Sequence, residues 1–392
     1  MTVDVQWLKK AEALGDALAE RRTACEAQSR MPQETVDDFH DAGLWRLLQP
    51  KRYGGAEAHP NTFMACQTAI AKRCPSSAWV YGVVGVHSWQ LALFDERAQD
   101  EVWGDDTRVL ISSSYAPTGQ VERVEGGYRL TGTWKFSSGC EFCDWVFLGG
   151  FVPAAEGAPP GPPDMRTFLL PKSDYRIDRT WNVAGLQGTG SHNIVVDGAF
   201  VPEHRTHKMS DGFNLKSPGN SVNTAPLFKV PFGLLFTRSV STTAIGLLEG
   251  ALDAYLKVAR SKVSASDQRR VVEDPKSQEV CAEARAELES VKLVLERTFN
   301  ELMQAAERGE RPTIERRALF RYESAMAVQR CMEQVDKLMS QSGGTAIFAD
   351  APIQPFFQGI HAARGHYANN PAKPAQNLGR VLLELKTQDF FL

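Results

Sequence analysis

The stretch YRLTGTWKFSSGCEFCDWVFLGG, residues 128–150, decides how the rest of the chain is read. Tyr128, Leu130, Trp134 and Phe136 alternate as the apolar face of a half-buried strand, and Trp145, Phe147 and Leu148 restart the pattern after a break. The spacing predicts two strands joined by a turn at Ser137-Ser138-Gly139. Two small hydroxyl residues and a glycine between aromatic-rich strands let the backbone approach a flat ligand closely and offer hydrogen bonds to its polar edge. An ordinary hairpin turn has the same composition, so the surrounding segments have to decide.

Upstream, the periodicity is helical. Trp7, Ala11, Leu14 and Leu18 share one face of a helix over 3–24, a second helix over 33–42 stops at Gly43, and a third lies near 61–73. After Cys74-Pro75, Ser76 or Ser77 is placed to cap an apolar helix that runs through Phe94 and carries His87 and Trp89. From Val109 the period changes to two. Strands are predicted in VLISSSYAP, in VERV and YRLTGTWKF about a Gly126-Gly127 turn, and in DWVFLGGFV, RTFLLP, YRIDRTWNV and HNIVVDGAFVP. A Pro/Gly-rich surface excursion at 153–165 interrupts them. Beyond a polar loop, four long helices are predicted at roughly 232–264, 276–308, 312–342 and 354–386. Val280, Ala284, Leu288, Val291, Leu295, Phe299 and Leu302 form a continuous stripe on the second of them. The chain is therefore expected to be α+β: an N-terminal helical domain (1–107), a central antiparallel β-domain (108–210) and a C-terminal four-helix bundle (225–392).

Composition narrows the function classes. A net charge of −3 with both signs interspersed argues against nucleic acid as a partner. MTVDVQWLKK lacks the apolar core of a signal peptide, and the longest apolar run, AWVYGVVGV at 78–86, is too short for a bilayer, so a cytoplasmic protein without a membrane partner is expected. Seven scattered cysteines do not suggest a disulfide framework. Cys140 and Cys143 form a lone C-x-x-C with no second pair, and packed thiols are expected there with no metal. Gly185-Leu186-Gln187-Gly188-Thr189-Gly190 lies between strands and lacks a third glycine in register, which argues against a nicotinamide site. Among the histidines, His204 and His207 are expected in solvent and His87 in a core. His361 and His366, five apart on the last predicted helix, would point about 140° apart and share no metal.

The order of the three regions resembles the acyl-CoA dehydrogenase fold. LTGTWKFSSGCEFCDWVFLGG is similar to that superfamily's flavin-contacting strand pair, and GLQGTGSHNIVVDGAFVPEHR to its second signature. GVHSWQLALFDERAQDEVWG (85–104), ISSSYAPTG (111–119), WKFSSGC (134–140) and SGGTAIFADAPIQPF (342–356) resemble the oxygenase components of group D two-component flavin monooxygenases. The resemblance is nearest to secosteroid phenol hydroxylases and more distant to p-hydroxyphenylacetate hydroxylases.

That resemblance implies reduced flavin (FMN or FAD) and O2 as cofactors, a flavin C4a-hydroperoxide as oxidant, a small aromatic substrate of phenol type, and a separate NAD(P)H:flavin reductase. It also implies residue roles. Ser138 falls at the position facing flavin N5, His87 and Ser113 at the pair that binds a phenolic hydroxyl, and His366 where a dehydrogenase carries its glutamate. Trp134, Ser137, Gly188 and Thr189 fall among the flavin contacts, and Lys262 where a basic residue reaches a neighbouring subunit's flavin. GIHAARGHYANN holds no carboxylate, so the base for acyl-CoA dehydrogenation is missing. Phe357-Gln358-Gly359 stands where these hydroxylases usually read Trp-Arg-Asp, and the tail after Asn370 diverges. An indole or polyketide-derived ring thus stays open as substrate, as does a dehydrogenase-like flavoprotein. Apolar stripes exceeding one bundle interior, together with the resemblance, lead to the expectation of a homotetramer.

Overall fold

The computed structural model describes residues 2–154, 157, 162–263, 268–389 and 391–392. The first region is helical: α1 (Val5–Ala13), α2 (Gly15–Ala27), α3 (Gln33–Asp41), α4 (Pro60–Ala71), α5 (Pro75–Gly85), α6 (His87–Leu91) and α7 (Glu96–Trp103). Two expected helices are each broken in two. The first breaks at Leu14, where Gly15 presses against the Arg73 side chain so closely that a Cβ would lie 3.2 Å from Nε. The second breaks at Val86, and neither Ser76 nor Ser77 caps it; Cys74 is the N-cap, with Pro75 opening the first turn.

Eight strands follow: β1 (Ile111–Ser114), β2 (Gln120–Val124), β3 (Gly127–Ser137), β4 (Trp145–Val152), β5 (Asp164–Pro171), β6 (Arg176–Asp178), β7 (His192–Pro202) and β8 (Thr206–Lys208). They form two four-stranded sheets, ordered β1-β4-β5-β8 and β2-β3-β7-β6. The β2–β3 hairpin is as expected, with Val124 opposite Gly127. The hairpin predicted from β3 to β4 does not exist, because the two strands belong to different sheets. The chain crosses between the sheets through a 3-10 turn at Cys140–Phe142. Tyr128, Leu130, Trp134, Val146, Leu148, Phe168 and Ile194 fill the space between the sheets.

The alternation of β3 also fails near its end. The register with β7 slips between Trp134 and Ser137, Phe136 takes φ 66° and leaves 67% of its surface exposed, and Ser137 turns inward. The bulge is what aims the two serines at the helical part of the molecule. The excursion after β4 lies partly outside the described residues, and its last residues, from Asp164, already belong to β5.

The remaining helices are α8 (Met209–Asn214), α9 (Phe232–Ala259), α10 (Pro275–Glu307), α11 (Ile314–Ser342), α12 (Gln354–Arg364) and α13 (Ala372–Leu382). The fourth bundle helix is thus also two, separated by a short 3-10 turn at Tyr367–Asn369. Leu234, Phe236, Phe299 and Phe320 join one core with Phe39, Trp45, Tyr81 and Trp89 of the first region. The distal bundle half has its own core around Leu247, Leu288, Val328 and Ile360. The near end of the bundle and the N-terminal helices are therefore one packed body, and the β-domain leans against it. Among the described residues no helix is long and apolar enough to cross a membrane.

Candidate active site

The two serines meet the helical region at Trp79. This indole, on α5, donates from Nε1 to Ser138 Oγ over 3.2 Å. Ser138 Oγ lies 2.7 Å from Ser191 Oγ, which lies 2.8 Å from Thr189 Oγ1, and Thr189 donates to the Leu186 carbonyl over 2.9 Å. The turn holding Thr189 and Ser191 is tight, with left-handed backbone at Leu186 (φ 57°) and Gly190 (φ 51°). Gly139 N–H binds the Thr189 carbonyl at 3.0 Å and locks the two segments together. Ser138 and Trp79 keep 7% and 8% of their surface open whereas Ser137 keeps none, so Ser138 is the hydroxyl a ligand can reach. The Ser137 hydroxyl is buried without a partner.

His87 opens α6 and is buried. Its Nδ1 lies 2.5 Å from the Ile111 carbonyl, which can only accept, so Nδ1 carries the proton and Nε2 is a bare acceptor with no partner. Burial pushes its pKa down to about 4, only partly opposed by that hydrogen bond. Phe147 and Tyr115 stand edge-on to the ring. Ser113, on β1 and partly accessible, is within hydrogen-bonding reach of the Tyr115 phenol, which also bonds Gln90.

His366 is not on a helix, contrary to the register expected for 354–386. It is the N-cap of the Tyr367–Asn369 turn, and its Nδ1 accepts from Ala368 N–H at 3.1 Å. Nε2 therefore carries the proton. Desolvation, aided by the nearby Arg321 guanidinium, pushes its pKa down to about 4. Its ring meets Trp79 edge-on at 5.8 Å and Phe236 at 6.5 Å, and Phe236 meets Tyr115 at 4.8 Å. One continuous aromatic wall thus joins Ser138 and Trp79 through His366 and Phe236 to Tyr115 and His87. Tyr367 leaves about half its surface open (51%), and its ring lies beside that of His366 with centroids 4.8 Å apart.

Several expected site residues lie elsewhere. Trp134 is fully buried between the sheets, with its indole N–H on the Gly149 carbonyl at 2.8 Å, and offers no face to a flavin. Gly188 is required by packing, since a Cβ there would lie 2.3 Å from Cys25 Sγ. Lys262 donates to the Ser342 carbonyl at 2.7 Å and caps α11 of its own chain. His207 is buried on Ser217 rather than solvated, and His204 pairs with Glu101. Cys140 and Cys143 are buried free thiols. Among the described residues no group of three His, Cys, Asp or Glu side chains could hold a metal.

Sequence reasoning missed Trp79, Tyr115, Phe236 and Arg321. Trp79 sits in the apolar run AWVYGVVGV and reads as core, and Arg321 lies on a bundle helix where a basic residue reads as surface.

Residues 10–105 match the family model for the acyl-CoA dehydrogenase N-terminal domain, and residues 239–371 that for its C-terminal domain. The flavin-dependent monooxygenase oxygenase subunit HsaA of Rhodococcus jostii is 38% identical over 367 residues, covering 93% of this chain and 95% of that protein. The chain belongs to the flavin-dependent monooxygenase oxygenase subunits of acyl-CoA dehydrogenase fold. The oxygenase component of p-hydroxyphenylacetate 3-hydroxylase from Acinetobacter baumannii is a more distant member, 30% identical with 97% of this chain and 90% of that protein covered. The crystal structure of 3-HSA hydroxylase from Rhodococcus sp. RHA1 superposes with a TM-score of 0.93 over 99% of both chains, at 36% identity.

Proposed function

We propose that this oxygenase subunit holds a reduced flavin against Ser138 and Trp79 and hydroxylates a phenol-type aromatic presented to His87. The carrying observation is His87 Nε2, a buried imidazole lone pair without a partner, on the same aromatic wall as Ser138. A buried acceptor left unmade is costly, and a phenolic O–H satisfies it. The residues fit a reduced flavin: Ser138 keeps an open lone pair, Trp79 a partly open indole edge, and the walls are aromatic. Bound reduced flavin supplies activation of dioxygen and delivery of one oxygen atom to the ring.

The chain's own residues do the rest. His87 Nε2 takes the proton as the phenol becomes nucleophilic, a contribution of about 10²–10⁴ in rate, and Ser113 orients the hydroxyl. His366 offers Nε2–H as a donor to developing negative charge, and Arg321, bonded to the Ala368 carbonyl at 2.8 Å, adds positive charge nearby. Phe236, Phe232 and Tyr115 keep water out. An indole N–H fits the same His87 acceptor and is the second substrate class. Acyl-CoA dehydrogenation finds no base, since 354–370 contains no carboxylate.

The reading includes a separate NAD(P)H:flavin reductase as supplier of the cofactor. It places the enzyme in the cytoplasm, whose reducing conditions suit seven free cysteines. It also includes a homotetramer, supported by Ile347, Phe348, Leu382, Leu383 and Leu385, all large apolar side chains left exposed in the C-terminal region. The test supplies flavin through an added reductase under oxygen-18 gas with a panel of phenols and indoles. Labelled hydroxylated product supports the reading; flavin oxidation to peroxide with every aromatic tried sinks it.

A further inference from the structure

The chain of three hydroxyls has a donor-only group at one end and an acceptor-only group at the other, and this orders the protons in it. The Leu186 carbonyl can only accept, and besides the Trp181 indole N–H at 3.1 Å and the Thr189 backbone N–H at 3.2 Å it has the Thr189 oxygen 2.9 Å away, where only the Thr189 hydroxyl proton keeps two lone pairs from facing each other. Thr189 must then accept from Ser191, which spends the only Ser191 proton. Ser191 must in turn accept from Ser138, which spends the Ser138 proton. The other end agrees: the Trp79 indole N–H can only donate, and it occupies one Ser138 lone pair. Ser138 therefore presents one remaining lone pair and no proton to whatever lies beside it.

We infer that Thr189 and Ser191 are positioning residues that make this site select reduced over oxidised flavin, by holding Ser138 as a pure acceptor. Reduced flavin carries a proton on N5 and can donate to that lone pair. Oxidised flavin presents a bare N5 lone pair, and two lone pairs face each other unless Ser138 turns its proton outward, which breaks the chain. The inference rests on the flavin reading above and adds a role for two hydroxyls that are spent on protein partners. Neither Thr189 nor Ser191 would be assigned this by charge or exposure, since both are buried and neutral.

The test is the ratio of dissociation constants for oxidised and reduced FMN or FAD, measured anaerobically by equilibrium titration of the intact chain. In Thr189→Val, Ser191 loses its acceptor and turns its proton to Ser138, which frees the Ser138 proton to face the ligand. The ratio should fall about three- to tenfold, the worth of about one hydrogen bond. A tenfold fall lowers the two-electron potential of bound flavin by about 30 mV. Ser191→Ala, a smaller perturbation should Thr189→Val fold poorly, frees the same proton and should act in the same direction, whereas Thr189→Ser should keep the wild-type ratio. An unmoved ratio in Thr189→Val and Ser191→Ala, with Ser138→Ala shifting it, overturns the inference and leaves the flavin site standing. Wild-type protein that binds neither form overturns the flavin reading and the inference with it.

Discussion

His87 and His366 are neutral imidazoles of opposite tautomer on one aromatic wall. The Ile111 carbonyl fixes the proton of His87 on Nδ1, and Ala368 N–H fixes that of His366 on Nε2. One ring therefore offers the site an acceptor and the other a donor. Two histidines in the sequence do not reveal this, because Ile111 reaches His87 from a strand 24 residues on, and Ala368 N–H reaches His366 only through a turn that interrupts a helical pattern.

His87→Gln should lower hydroxylated product by about 10²–10⁴ while flavin oxidation continues. The amide side chain preserves bulk and a hydrogen bond to Ile111 but removes the base. Product and hydrogen peroxide measured in the same reaction check it. A proportional loss of both would place His87 on the flavin side instead.

The capping geometry of His366 separates two substitutions. Asn is a good N-cap and can accept from Ala368 N–H while its amide still donates. His366→Asn should therefore keep the turn and slow the reaction of bound reduced flavin with oxygen only modestly. His366→Ala loses cap and donor together, and its oxygen reaction should slow by about 10²–10³. His361→Asn, on an exposed pair with Asp336, should leave the rate unchanged. Stopped-flow mixing with oxygen orders the three.

Acid should destabilise the fold before it changes these tautomers. His87, His207 and His366 all have their pKa pushed down by burial to about 4, below the unfolded value of about 6.5. The unfolded chain binds protons that the folded chain refuses, so stability is intact above about pH 6.5 and declines as pH falls toward 4. Each ring contributes a slope of at most about 1.4 kcal/mol per pH unit. Melting temperatures over this range should fall steeply for the wild type and less steeply for His207→Gln.

Trp134→Phe should cost about 1–3 kcal/mol of stability, because the Gly149 carbonyl loses its donor inside the sheet sandwich. Flavin affinity should not change. Urea unfolding and a flavin titration on the same protein decide whether this tryptophan is framework or site.

Leu383→Glu, at a side chain 75% exposed, should shift a tetramer toward smaller species by placing a charge in an apolar contact. Light scattering at micromolar concentration reads the shift. A wild-type monomer would remove the tetramer.

Element types and their order were legible because each rests on local periodicity: period two from 109 to 202, and sustained stripes in α9 to α11. The helix breaks at Leu14, Val86 and Gly365 were not, since each is set by something distant or by a cap. Gly15 meets Arg73, His87 reaches across to Ile111, and His366 turns to bind Ala368. The bulge at Phe136 hides for a similar reason, as an aromatic at an alternating position looks like core until its partner strand slips register. Of the site, Ser138, Thr189, His87 and His366 could be picked by resemblance. Trp79 and Arg321 could not be seen in sequence, because burial in a helix looks the same whether the neighbour is core or recess.

The sheet-to-sheet crossing after β3 and the turn before β7 share their fastenings. Ser137 pairs with His192 in the ladder, Gly139 binds Thr189, and Cys140 Sγ approaches the Gly190 carbonyl at 3.8 Å. Segments 136–143 and 185–192 therefore behave as a single cassette, although some forty residues separate them. A chimera that imports one from a relative and keeps the other would mismatch the hydroxyl spacing even with every named side chain conserved. Recombination libraries aimed at new aromatic substrates should exchange the two together, with crossover points before residue 136 and after residue 192 and none in β5 or β6, which lie between them.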